Sequence, residues 1–142
     1  MANNYMQFSE NIKSITENER KWLSSVLGCI GSEEQIAWIE GELGIGVGID
    51  EEEDWPRFEW ELQESELWIY ATEDCDLGIL ADIISAFLRK FRPKEVFTLT
   101  WAEVCSKPRL GEFGGGWMYV TANKTIFGDT WSEVDKIRKV DE

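Results

Sequence analysis

The sequence predicts a single α+β domain over residues 1–142, with a mainly antiparallel sheet and helices on one face. Three observations predict it. Arg57-Phe58-Glu59-Trp60-Glu61-Leu62 alternates polar and apolar side chains, the period of a half-buried strand. Leu67-Trp68-Ile69-Tyr70-Ala71 is apolar on both faces, so it belongs further inside the sheet and forms a hairpin with the first run. Leu77, Ile79, Leu80, Ile83, Ile84, Phe87 and Leu88 then make a wide apolar stripe at helical spacing, which marks the main core helix.

The remaining elements follow in order. Met6, Phe8 and Ile12 occupy alternating positions in residues 4–13, giving a first strand interrupted by Glu10. Thr16-Glu17-Asn18-Glu19 is a capping box that opens a helix over 17–27. Gly28 ends that helix and offers a left-handed cap. Ser32-Glu33-Glu34-Gln35 is a second capping box, leading through Ile36, Ile39 and Leu43. Gly44-Ile45-Gly46-Val47-Gly48 follows a helix and has no lysine, so it fits a flexible connection or short strand rather than a phosphate loop. Asp74 or Asp76 caps the helix at 77–91, and Pro93 stops it. Arg89, Lys90, Arg92 and Lys94 gather at its end, where the helix dipole favours cations. Residues 96–102 and 117–122 are strands joined by a glycine-rich loop over 103–116. Asn123-Lys124 turns the chain into Thr125-Ile126-Phe127. Thr130-Trp131-Ser132-Glu133 is a third capping box, before a short C-terminal helix. The order through the strand at 96–102 is the β-α-β-β-α-β start of ferredoxin-like folds.

Charge narrows the function. The net charge is −14, and residues 51–76 hold eleven acids against one base. Residues 1–50 hold eight acids and three bases, and residues 77–142 hold nine and ten. Hydrophobic residues make up 43% of the chain and eight are Trp, which argues against disorder despite the charge. A nucleic-acid surface needs clustered Lys and Arg to neutralise phosphates, so direct nucleic-acid binding is not expected. The natural complement is a basic protein partner, met by Glu51, Glu52, Glu53, Asp54, Glu59 and Glu61 with the aromatics Trp68, Tyr70 and Trp117. Solubility alone is the plainer explanation of the same acidity.

No apolar run approaches the roughly 20 residues of a membrane span, and the N-terminus lacks the regions of a secretory signal. Cys29, Cys75 and Cys105 are few, odd in number and widely spaced, which fits a reduced, cytoplasmic protein. With no histidine and no Cys-x-x-Cys pair, a cysteine-based zinc site is not expected, and Glu51 to Asp54 lacks the ordered spacing of a calcium loop. No cofactor is implied.

The most unusual stretch is Thr100-Trp101-Ala102-Glu103-Val104-Cys105-Ser106-Lys107-Pro108-Arg109-Leu110-Gly111-Glu112-Phe113-Gly114-Gly115-Gly116. Its three successive glycines imply special backbone angles or a close approach. Cations beside Cys105 favour a thiolate, but no histidine exists to serve as its base. Lys107 and Arg109, with the amides of Gly114, Gly115 and Gly116, could instead hold an anion. The plainer alternative is a structural crossover in which Lys107 or Arg109 pairs with Glu103 or Glu112. Preceded by an acidic hairpin and a helix ending Phe91-Arg92-Pro93, this stretch resembles a group of small uncharacterised proteins of phages and mobile elements. The resemblance covers residues 57–122 and, loosely, the helix start at Thr16. It implies no established activity and transfers no catalytic residue.

Three functions stand open from the sequence. The first is a non-enzymatic acidic protein that blocks a basic, nucleic-acid-binding partner. The second is an immunity protein for a basic toxin. The third is an enzyme or anion binder using the 103–116 loop. A mass spectrum of the non-reduced protein should show no bridge among Cys29, Cys75 and Cys105, and a native bridge would contradict the reduced-compartment reading.

Overall fold

The structure is a computed structural model that describes residues 3–28, 33–44, 55–56 and 58–141. Its elements are β1 (Asn4–Lys13), α1 (Glu17–Leu27), α2 (Glu33–Leu43), β2 (Glu59–Leu62), β3 (Glu66–Ala71), α3 (Leu77–Phe91), β4 (Phe97–Cys105), β5 (Gly114–Val120), β6 (Thr125–Asp129) and α4 (Thr130–Asp141). The six strands form one sheet in the order β2-β3-β1-β4-β5-β6, every neighbour antiparallel. The first four give the split β-α-β arrangement that the element order predicts, with β1 central. β5 and β6 extend the sheet beyond β4 as a meander.

Strand alternation sorts the sheet into two faces. Phe8, Ile12, Leu67, Ile69, Leu99, Met118 and Val120 point to one side and are buried. Against them pack Trp22, Leu23 and Val26 of α1, Ile39 and Leu43 of α2, and Leu80, Ile83, Ile84 and Phe87 of α3. Burying each such side chain is worth about 1.5–3 kcal/mol, so this layer drives folding. The helix stripe in residues 77–88 is therefore core, as its width implies.

The caps are chemically specific. Thr16 Oγ1 accepts from the Glu19 amide at 3.2 Å, and Glu19 Oε1 accepts from the Thr16 amide at 2.8 Å, which completes the first capping box. Asp76, rather than Asp74, caps α3 through the Ile79 amide at 3.1 Å. The third box is not formed by Thr130. Asp129 Oδ1 accepts from the Ser132 amide at 2.7 Å, while the Thr130 hydroxyl donates to the Gly115 carbonyl at 3.0 Å. A carboxylate one residue upstream is the better acceptor for a helix N-terminus. Gly28 is not left-handed either, with φ at −90°. A Cβ there would lie 2.8 Å from the Ser24 carbonyl oxygen, which gives glycine a steric reason instead.

Three boundaries also differ from the sequence reading. The loop expected over 103–116 shrinks to residues 106–113, because β4 continues to Cys105 and β5 begins at Gly114. β5 stops at Val120, and Thr121 closes the turn by donating its amide to the Lys124 carbonyl at 2.8 Å. Ala122 and Asn123 thus form the tip in place of Asn123-Lys124. The Ser32 capping box, the 45–48 glycine segment, Cys29, Arg57, and Glu51, Glu52, Glu53 and Asp54 lie outside the described residues.

One ion pair ties the layers together. Arg92, at the C-terminus of α3, grips Glu19 of α1 with Nε at 2.7 Å from Oε2 and Nη2 at 3.1 Å from Oε1. Nη2 also donates to the carbonyls of Lys13 and Ser14, at 3.0 and 2.9 Å. The Glu19 side chain is 5% exposed and that of Arg92 16%. Burial alone would raise the Glu19 carboxyl, but the Arg92 hydrogen bond and the Thr16 amide outweigh it and hold the pKa below the usual value. The Arg89 guanidinium donates to the Ala122 and Glu42 carbonyls, and Lys90 pairs with Glu42. The basic cluster ending α3 is therefore largely spent on structure.

Removing one partner of a buried pair strands the other charge, so Arg92→Ala should cost about 3 kcal/mol in denaturant unfolding, with Arg92→Lys recovering only part. A depressed folded-state pKa gives stability that is present above the unfolded value and lost as pH falls through the folded one. The gap between wild type and Arg92→Ala should therefore narrow below the ordinary glutamate range. Asp82, pushed up by burial and then by Asp76, acts in the opposite direction but is common to both proteins.

Candidate interaction face

Among the described residues, no comparable apolar layer covers the other side of the sheet. β2 presents Glu59 and Glu61, and β3 presents Glu66, Trp68 and Tyr70. β1 presents Tyr5, Gln7, Ser9 and Asn11, β4 presents Thr98 and Thr100, and β5 presents Trp117 and Tyr119. Register sets the neighbours: Glu59 lies opposite Tyr70 and Glu61 opposite Trp68. Trp68 and Tyr119 are each 36% exposed, and Ile126 of β6 is 42% exposed. The C-terminal helix does not lie over Trp68 or Tyr70. Its Trp131 indole reaches the sheet at Gly114, on the face that carries Glu103.

The acidic end of this face is pre-organised. The Trp68 and Tyr70 rings stack with centroids 4.1 Å apart and planes 25° from parallel. Trp68 Nε1 donates to Ser9 Oγ at 2.8 Å, which fixes the indole across β1. Asn11 Nδ2 donates to Glu66 Oε1. Rigid aromatics held by hydrogen bonds lose little entropy on binding, and the flanking carboxylates give the patch its sign. This grouping joins the expected Glu59, Glu61, Trp68 and Tyr70. Trp117 shares the face but sits three strands from β3, about 14 Å at ordinary strand spacing.

The tryptophans account for two glycines. Gly116 lies opposite Trp101 on the helix side, where a Cβ would fall 2.1 Å from Trp101 Cζ2. Gly128 lies opposite Trp117 on the open side, where a Cβ would fall 2.2 Å from that ring. Each glycine lets a neighbouring indole lie flat across the strand. Gly115 has no positive φ; a Cβ there would meet the Trp101 carbonyl oxygen at 2.7 Å. Positive φ falls instead at Gly44 and Gly111.

The residues suggested for an anion loop are dispersed. Cys105 ends β4 and is half-buried, Lys107 and Arg109 are exposed, and Gly114, Gly115 and Gly116 pair with Glu103, Ala102 and Trp101 of β4. The cleft beside this loop is lined by Glu73, Asp74, Glu103 and Glu112 with Phe113 and Trp131, a field that repels anions. The Cys75 thiol is pushed up to about 12 by burial, then by Asp76 and Asp74, and is a poor nucleophile. Among the described residues, no group of three or more His, Cys, Asp or Glu could hold a metal ion. Among them, too, no helix is long and apolar enough to cross a membrane. The Trp68–Ser9 and Arg92–Glu19 contacts were missed from sequence, since both join residues far apart in the chain.

No family model, curated protein or solved structure matches this chain.

Gly116→Ala should cost about 2 kcal/mol, because Trp101 must leave a packed position. Gly128→Ala should cost less, since Trp117 can turn outward. Thermal melts that rank the two in the reverse order would refute this assignment of the glycines. Gly115→Val should also lower the melting temperature, now through its contact with the Trp101 carbonyl.

Proposed function

We propose that this protein is a non-enzymatic acidic interaction module that engages a basic, nucleic-acid-binding protein through the β2–β3 end of its open sheet face. The observation that carries this reading is the exposed Trp68, stacked on the half-buried Tyr70 and bordered by Glu59, Glu61 and Glu66. Aromatic anchors supply contact area, and the surrounding carboxylates select a cationic surface and speed encounter with it. The unmatched acidity of residues 51–76 adds to the same field. A surface of this sign imitates the charge of nucleic acid, so its partner would be one that ordinarily binds phosphate. The resemblance to small phage and mobile-element proteins fits an inhibitor of a host enzyme of that kind.

Capture from host lysate should succeed with wild type and fail with Glu59→Lys/Glu61→Lys and with Trp68→Ala. With the captured partner purified, the association rate should fall as salt rises and fall in the charge-reversed variant at low salt. Folding should be unaffected by the Glu59 and Glu61 reversals, since substitutions at exposed positions usually move stability within about 0.5 kcal/mol. A partner whose association rate is flat across the salt series would sink the electrostatic reading.

A further inference from the structure

We infer that the opposite end of the sheet is a self-association surface, on which β6 and α4 take a second copy of this chain. The two edges of the sheet differ in kind. β2 carries Glu59 and Glu61, so pairing it with a copy would bring carboxylates together. β6 reads Thr125-Ile126-Phe127-Gly128-Asp129, with no charge in its interior and no proline to protect it. Its only carboxylate, Asp129, is occupied in capping α4. An edge of this sort presents a row of unpaired backbone donors and acceptors to another strand. Its side chains are also unsatisfied, with Ile126 42% exposed on one face and Phe127 50% exposed on the other.

α4 follows β6 directly and is itself exposed along its length. Val134 and Ile137 are 41% and 64% exposed and neighbour one another on the helix, although each is apolar. Charge selects the occupant. Residues 123–141 hold Lys124, Lys136, Arg138 and Lys139 against Asp129, Glu133, Asp135 and Asp141, a balance of zero in a chain of net −14. Such a surface offers no attraction to a basic protein, and it is where two strongly acidic chains can meet with least repulsion. The order of charges along α4 is also self-complementary. Glu133 and Asp135 lie in its first half, and Lys136, Arg138 and Lys139 in its second. A two-fold axis that pairs β6 antiparallel with its copy also brings the two α4 helices towards one junction, since α4 begins at the residue after β6. The Lys136–Glu133 and Arg138–Asp135 pairs that each helix closes within itself are then available for exchange between copies.

Sedimentation velocity on the full chain over a concentration series, at physiological salt, tests this. Wild type should move from single-chain mass to twice that mass as concentration rises. Phe127→Lys on the edge and Ile137→Lys on the helix should each hold the protein at single-chain mass, with an unchanged melting temperature showing that the fold survives. Wild type that stays at single-chain mass throughout would overturn the inference, whatever else α4 is found to bind. A dimer that persists in either variant would overturn it as well, since both elements are required.

Discussion

The bidentate contact between Arg92 and Glu19 is the constraint on which the rest of the arrangement rests. It joins the C-cap of α3 to the first turn of α1, and its Nη2 also closes on the Lys13 and Ser14 carbonyls at the end of β1. The end of α3 is thereby fixed to the β1–α1 junction, some seventy residues away in sequence. Arg92 also lies over the Phe87 ring, 5.4 Å from its centroid, so the same guanidinium touches the apolar core. Glu19 serves two purposes, completing a capping box and neutralising the arginine. A carboxylate so deeply placed is tolerable because each oxygen has a donor.

With the helix layer pinned to one face, the other face is free to differ. Its two ends are built on the same device, a tryptophan whose position is fixed by a neighbouring strand, but by different means. Trp68 is fixed by a hydrogen bond to a serine, and Trp117 by the absence of a side chain at Gly128. The first leaves an indole beside carboxylates. The second leaves one beside Tyr119 and Ile126 in uncharged surroundings. One sheet therefore displays two chemically distinct surfaces.

Much of this was legible in the sequence. The alternation of Phe58, Trp60 and Leu62 against Glu59 and Glu61 assigned each to its face, because a strand's period of two leaves only one choice. The stripe from Leu77 to Leu88 located the core helix for the same reason at period 3.6. The glycine-rich stretch misled because three glycines resemble a loop, whereas here they lie in a strand, Gly115 and Gly116 against the Trp101 carbonyl and ring and Gly114 beneath Trp131. Nothing local in the chain signals that a ring will come from the adjacent strand. The Thr130 cap failed likewise, since Thr and Asp compete for one helix start and the carboxylate is the stronger acceptor. The pairing of Arg92 with Glu19 spans 73 residues, beyond the reach of any periodicity.

The strand order has a consequence for how the molecule moves. Acids gather at the β2 end and balance to zero at the β6 end, so the protein carries a permanent electric moment across its strands, from one sheet edge to the other. In the field of a cationic body such a molecule is turned as well as attracted. The torque acts before contact and at distances up to a Debye length, about 8 Å in physiological salt. Collisions would thus be sorted by orientation, with the acidic edge leading and the neutral edge trailing.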